Sequence, residues 1–464
     1  MDEQQMKKHR QMTETPVGPL ILRLALPCIV SMLVTAFYNM ADTFFVGMLK
    51  SNAATGAVGV VFALMAIIQA IGFFFGQGSG NFISRAIGHK NYEEASEMAS
   101  TGFFSALATG VLICVLGLLF LEPLAYLLGS TDTILPYTKA YLSVILLGAP
   151  WMTSSLVLNN QLRFQGSAAY AMVGITSGAV LNIGLDLACI IVLNMGAFGA
   201  AFATVFSQAV AGLGSLLYIM RHYPELRWSR EEGRFSLTHC AKLCNMGIPM
   251  GLQCSITAIG SVVLQGAVNG LGSDIVAAQT AGGKAAQFLS VPLESIGTAM
   301  TTYTSQNMGA KDLGRVNRGV NTALGIGCVY SIASFLILRV TDKLLIGLFL
   351  DAGETAIMAN AQSFIFWNSV FYIPLAVLII YRYTIQGLGF SGLAMFAGVA
   401  EMVARAMVGF WFVPLWGYFA ACIANPVAWF FACFFLIPAY FVVRRKLQKE
   451  KDIEKAHDAQ AAKA

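Results

Sequence analysis

Ser84-Arg-Ala-Ile-Gly88-His-Lys90 and Ser305-Gln-Asn-Met-Gly309-Ala-Lys311 carry serine, glycine and lysine at one spacing, 221 residues apart. The offset recurs. Arg163-Phe-Gln165-Gly166 is answered by Thr384-Ile-Gln386-Gly387, and Gly196-Ala-Phe-Gly-Ala200-Ala by Gly417-Tyr-Phe-Ala-Ala421-Cys. Three matches at one offset mark a duplicated half. Composition says what each half is made of. Of 464 residues, 57% are hydrophobic and 11% charged, against about a quarter charged in a soluble globular protein. Such a chain cannot cover its apolar residues with polar surface in water, so the bilayer is its solvent. A span takes about 20 apolar residues, which leaves little chain for a soluble catalytic or nucleotide-binding domain.

Apolar stretches fall near 19–48, 55–82, 98–121, 134–160, 168–194 and 197–220, then 243–269, 275–303, 318–341, 356–385, 390–414 and 418–443. These are continuous and too long for barrel strands. Pro27, Pro150, Pro249, Pro292, Pro374 and Pro426 fall inside them and bend the helices. The expected organisation is a cytoplasmic segment 1–17 with no removable signal peptide, a first lobe 18–220, a polar cytoplasmic linker 221–242, a second lobe 243–443 and a basic cytoplasmic tail 444–464. Most of the 29 basic residues, including Arg85, Arg163, Arg221, Arg315, Arg382 and Arg444, fall on one side of this topology. The positive-inside rule makes that side, and both termini, cytoplasmic. The net charge of +5 is then a topology signal and calls for no nucleic acid. Six is even, so the repeat is parallel, with its axis along the membrane normal, as in transporters that work by alternating access between lobes. The fold class is an all-α polytopic membrane protein of twelve spans in two parallel six-helix lobes.

An ionisable side chain at membrane depth costs at least ~2.5–3.5 kcal/mol on insertion scales. The first half has Asp42 and Asp186, and no base in its spans beyond Arg23 at the edge. At ~1.5 Å per residue, Asp42 lies about 33 Å and Asp186 about 27 Å from the inner ends of their spans, and Thr204 about 10 Å from the outer end of span six. Asn39 with Asp42 and Asn182 with Asp186 share helix faces. Two carboxylates, an amide and a hydroxyl form a hard-oxygen nest for Na⁺, or for a proton held because two close acids do not both ionise cheaply. The competing reading makes each acid a structural hydrogen-bonding group. In the second half Glu294, two residues after Pro292, is a candidate substrate or proton site or a partner for Lys284. Glu401 is either such a site or a structural partner of Arg405. None of these four has a charged counterpart 221 residues earlier.

The five histidines all fall in cytoplasmic segments, which excludes an intramembrane histidine relay. No Walker A or HExxH sequence occurs, so neither nucleotide-driven pumping nor zinc proteolysis has its parts. Nine cysteines at irregular spacing read as small hydrophobes rather than disulfides, and His239, Cys240 and Cys244 lack a fourth zinc ligand. Gly76-Gln-Gly-Ser-Gly80 follows no strand and reads as close helix packing.

The duplicated signatures, with Pro27 and Tyr38-Asn-Met-Ala-Asp42-Thr-Phe-Phe-Val-Gly47, resemble the multidrug and toxic compound extrusion (MATE) family over about residues 15–443. Leu181-Asn-Ile-Gly-Leu-Asp186 and Ala200-Ala-Phe-Ala-Thr204 resemble the cation site of its prokaryotic DinF-type branch, and the short loops with Glu294 are similar to MepA-like pumps. The resemblance implies an antiporter, not an enzyme, in the cytoplasmic membrane, exporting cationic or lipophilic compounds for H⁺ or Na⁺. Asp42, Asn182, Asp186 and Thr204 would hold the ion, with Tyr38 beside them and Ala200 offering its carbonyl. Asn159 matches a polar lobe residue of that branch, and Asn39 is a further cavity candidate. The acidic second-lobe site of the NorM-type branch has no match. The expected partners are small molecules and lipids, with no cofactor beyond the ion and a monomeric chain. The alternatives are a lipid-linked oligosaccharide flippase, which calls for a basic cavity, and a membrane-embedded enzyme, which calls for a convergent catalytic set.

Overall fold

The computed structural model describes residues 3–48, 51–222, 236–349 and 355–461, and these are helical almost throughout. Lys50, Lys463 and residues 223–235 of the linker, with Arg227, Arg230 and Arg234, lie outside the described residues. The helices are α1 Glu3–Glu14, α2 Val17–Gly47, α3 Asn52–Gly88, α4 Tyr92–Leu119, the short α5 Leu121–Leu127, α6 Leu135–Phe164, α7 Ala168–Asp186 and α8 Gly196–His222. The second half continues with α9 Leu237–Asn269, α10 Ser273–Gly309, α11 Leu313–Ile346, α12 Thr355–Val370, α13 Tyr372–Gly387, α14 Ser391–Met407, the single turn α15 Val413–Trp416 and α16 Tyr418–Ala461. Ten of these segments are long and apolar enough to span a membrane, and α12 with α13, bent by 53°, makes an eleventh. The segment expected as span eight, α10, has 37 residues but a polar composition, with Thr298, Thr301, Thr302, Ser305 and Asn307 buried along it.

The 221-residue frame is visible in the backbone. Lys90 and Lys311 both take left-handed conformations, φ 62° and 58°, as do Gly196 and Gly417, φ 62° and 58°. Around the two lysines the turns match bond for bond. Lys90 N–H donates to Ile87 and Asn91 N–H to Ala86, while Lys311 N–H donates to Met308 and Asp312 N–H to Asn307. These bonds satisfy the last carbonyls of α3 and α10. The next helix is then capped identically: Asn91 Oδ1 accepts from Glu94 N–H at 3.2 Å, and Asp312 Oδ1 from Arg315 N–H at 2.9 Å. The repeat also includes an irregularity. α7 passes at Asp186 into a π-helix, Leu187–Val192, and α14 passes at Met407 into another, Val408–Phe412.

Two compact units are present, one of Leu26–Gly251 and one of Met1–Ala25 with Leu252–Ala464. α2 and α9 therefore each contribute to both, changing unit next to Pro27 and Pro249. In the first unit α6 is central, packing against α3, α4 and α8. A Cβ on Gly80 would come within 2.5 Å of Phe164, and one on Gly76 within 2.9 Å of Asn160, so these glycines set the α3–α6 approach. In the second unit Leu20, Ile21, Leu24 and Ala25 of α2 join a core with Met300, Tyr303, Ile379 and Leu436.

Several expectations need correction. The helices outrun their apolar stretches, so Arg85, Arg163, Lys242 and Arg315, which fall between those stretches, lie within helices, as does Arg382 inside the 356–385 stretch. Arg163, Arg315 and Arg382 are buried. Span ten is broken because Pro374 cannot accommodate the carbonyl four residues back, at Val370, where α12 ends. The basic tail continues α16 as helix, and Lys451 Nζ donates to the Lys311 carbonyl at 2.6 Å.

Candidate functional site

Tyr38 and Asp42 are four apart on α2 and face the same way. Asn182 and Asp186 close α7, and α8 packs beside it with Ala200, Thr204 and Gln208 on one of its faces. Asp186 is fully buried, Asn182 and Thr204 nearly so, and Asp42 and Tyr38 half-buried. The two carboxylates lie close enough to act on each other, and both act on the Tyr38 and Tyr141 hydroxyls. Asp42 Oδ1, both oxygens of Asp186 and both polar atoms of the Asn182 amide are buried with no hydrogen-bond partner among the described residues. Polar atoms left in this state are costly unless something binds them, and four of the five are oxygens. The donor set fits a hard cation or a proton. Thr204 Oγ1 donates to the Ala200 carbonyl one turn back on α8 at 3.1 Å.

Tyr141 and Gln208 were missed by the sequence reading. Gln208 was recoverable, since it follows Thr204 by one helical turn and hydrogen bonds Tyr38. Tyr141, fully buried in α6 with its hydroxyl 3.7 Å from Met65 Sδ, had no local signal. Asn159 is elsewhere: its amide donates to the Ala171 carbonyl at 2.9 Å and accepts from Arg163 at 3.3 Å, tying α6 to α7. Asn39 occupies an exposed position on α2.

The second half keeps the frame of this pocket without its chemistry. Val263, Val403 and Met407 occupy the positions of Asp42, Asn182 and Asp186, and with Met402, Phe410 and Trp411 they line an apolar cavity of about 430 Å³. Its acids are used differently. Glu401 is buried between Arg382 and Arg405, the latter at 3.2 Å, while Glu294 Oε2 accepts from the Tyr383 hydroxyl at 3.0 Å. Lys284 is exposed and lies over the Phe349 ring, so of the two readings of Glu294 its pairing with Lys284 is not the one seen. Among the described residues no three or more histidines, cysteines and acids gather into a group that could hold a metal ion, and all nine cysteines are free.

A duplicated, many-spanned helical protein with buried, unpartnered acids in one half defines a membrane protein of the transporter type. The chain belongs to the MatE family: the family model matches twice, over residues 27–188 and 249–411. Multidrug export protein MepA of Staphylococcus saprophyticus is 25% identical over 341 residues, 74% of this chain and 75% of that protein. The Staphylococcus haemolyticus MepA is 28% identical over 251 residues, 54% of this chain and 56% of that protein. Among solved structures, a multidrug resistance MATE family transporter in its outward-facing conformation superposes with a TM-score of 0.88 at 23% identity, covering 95% of this chain and 98% of that one. A MOP superfamily transporter from Pyrococcus furiosus, whose description reports a binding pocket of reversed polarity, superposes at 0.85 with 22% identity over 96% of this chain and 99% of that one. The two-lobed fold expected from the residues is the fold these neighbours have.

Proposed function

We propose that this protein exports cationic, lipophilic compounds across the cytoplasmic membrane in exchange for H⁺ or Na⁺, by alternating access, with both termini cytoplasmic and the chain a monomer. The observation that carries the reading is the set of orphaned buried oxygens on Asp42, Asn182 and Asp186. An unpaired carboxylate in a dry interior costs several kcal/mol, and a bound proton or cation removes that cost. Asp42 and Asp186 hold the ion, Asn182 and Thr204 complete its oxygen shell, and Tyr38 with Gln208 orients the α2 side. Loading the pocket changes the charge on α2, whose Pro27 lacks a backbone donor and leaves the helix able to bend. The MepA names of the relatives support a multidrug substrate range. A flippase for lipid-linked sugars is disfavoured because the site of the first half presents unpartnered carboxylate oxygens of Asp42 and Asp186, and the buried Arg382 and Arg405 are engaged by Glu401. The test is transport of a fluorescent organic cation in inverted vesicles with pH and Na⁺ gradients imposed separately. Export driven by neither gradient sinks the exchange reading.

A further inference from the structure

Four ionisable side chains meet inside the second unit, and its two acids have different company. Both oxygens of Glu401 are taken by guanidinium groups, Oε1 by Arg382 and Oε2 by Arg405. The set is anchored further: Arg405 Nε donates to Asn425 at 3.1 Å, Asn425 to Asn368 at 3.2 Å, and Asn368 to the Cys422 carbonyl at 3.1 Å. Glu401 is 3% exposed, so no ligand reaches it without breaking this network. Glu294 is half-buried, and its hydrogen-bond partner among the described residues is the neutral Tyr383 hydroxyl. Cys254, which is exposed, lies within the electrostatic reach of Glu294. Arg382 precedes Tyr383 in the chain and lies within reach of Glu294. It is the base that would collapse onto Glu294 if nothing else held it.

We infer that Glu401 is a positioning residue that keeps Arg382 and Arg405 occupied, leaving Glu294 as the acid of the second half that receives an organic cation. This rests on the cation-export reading and divides two acids that their sequence positions treat alike. The four charges balance in the resting protein. Loss of Glu401 leaves two guanidinium groups and one acid, and Arg382 becomes an internal competitor for any cationic ligand. An uncompensated buried charge is strongly destabilising, so the competition favours Arg382 over a weakly held substrate.

Equilibrium binding of ethidium to the full chain in detergent, read by fluorescence polarisation without any gradient, tests this apart from ion coupling. Glu294→Gln and Glu401→Gln should each weaken binding by at least about tenfold, while Arg382→Met leaves it unchanged or tighter. The decisive variant is Arg382→Met with Glu401→Gln, which restores the charge balance and should recover binding to within about threefold of the unaltered chain. If that double variant stays as weak as Glu401→Gln while remaining monodisperse, Glu401 itself holds the cation and the inference is wrong. It is equally overturned if Glu401→Gln binds normally. Should Glu401→Gln not fold, Arg382→Met decides alone, and weakened binding there refutes the inference. An unaltered chain that binds no organic cation overturns the export reading and this inference together, whereas normal binding with unaffected variants overturns only this one.

Discussion

Glu94 and Arg315 stand at equivalent places in the two halves, each three residues past the cap of its helix, and each holds the chain that leads into a unit-crossing helix. Glu94 accepts from Lys242 Nζ at 2.8 Å and lies 3.8 Å from His239, both in the first turns of α9. Arg315 donates to the carbonyls of Thr15 and Met12, at 2.5 and 3.3 Å, just before α2. Asn307 adds a second donor to Met12 at 3.3 Å. The residue types are opposite and the task is the same.

The two clasps should differ in strength. The Glu94–Lys242 pair is well exposed and contributes about 0–1 kcal/mol. Arg315 is 5% exposed and its bonds are charge-assisted, worth about 1.5–3 kcal/mol each. Arg315→Gln should therefore lower the melting temperature clearly more than Glu94→Gln, and should raise deuterium uptake over residues 9–16. Equal melting shifts would count against it.

Asp42→Asn and Asp186→Asn should each cut gradient-driven dye efflux in vesicles by about tenfold or more while leaving the protein folded, since both amides keep the shape and remove the charge. Asp186→Asn should be the better tolerated for stability, because it removes a fully buried charge. Wild-type efflux in both variants would sink the ion site.

Tyr38→Phe and Gln208→Leu remove the two ends of one hydrogen bond. Each should raise the ion concentration needed for half-maximal efflux, and the double variant should be no worse than the poorer single one, with a coupling energy of about 0.5–3 kcal/mol. Strict additivity would show that the bond does not orient α2.

Gly80→Leu should destabilise by about 1–3 kcal/mol or more by forcing α3 from α6 at Phe164. A Gly184→Ala control, where a Cβ meets nothing within 4 Å, should be close to neutral. A thermal-shift measurement in detergent separates the two.

The duplication, the order of spans and the acids of the first half were legible because apolar length, charge depth and a constant offset are local properties of a sequence. Asp42, Asn182 and Asp186 could be read because charge is scarce in this chain. Arg382 was grouped with the basic residues of the cytoplasmic side although it lies inside the 356–385 stretch, and only the arrangement of α13 and α14 reveals Glu401 as its partner. The break at Val370 was half legible, since Pro374 announced a bend but not its size. Tyr141 was hidden because its role depends on packing between helices distant in sequence.

The paired offsets in the backbone make the loss of chemistry at Val263, Val403 and Met407 consequential. On the proposed function, a molecule with two matching frames and one pair of unpartnered acids takes up its coupling ion in one half only. The link to the other unit is covalent: the helix that carries Asp42 runs without interruption through Pro27 into the core formed by Leu20, Ile21 and Leu24. On the proposed function, a charge gained or lost at Asp42 acts on a helix whose first residues, up to Ala25, belong to the other unit.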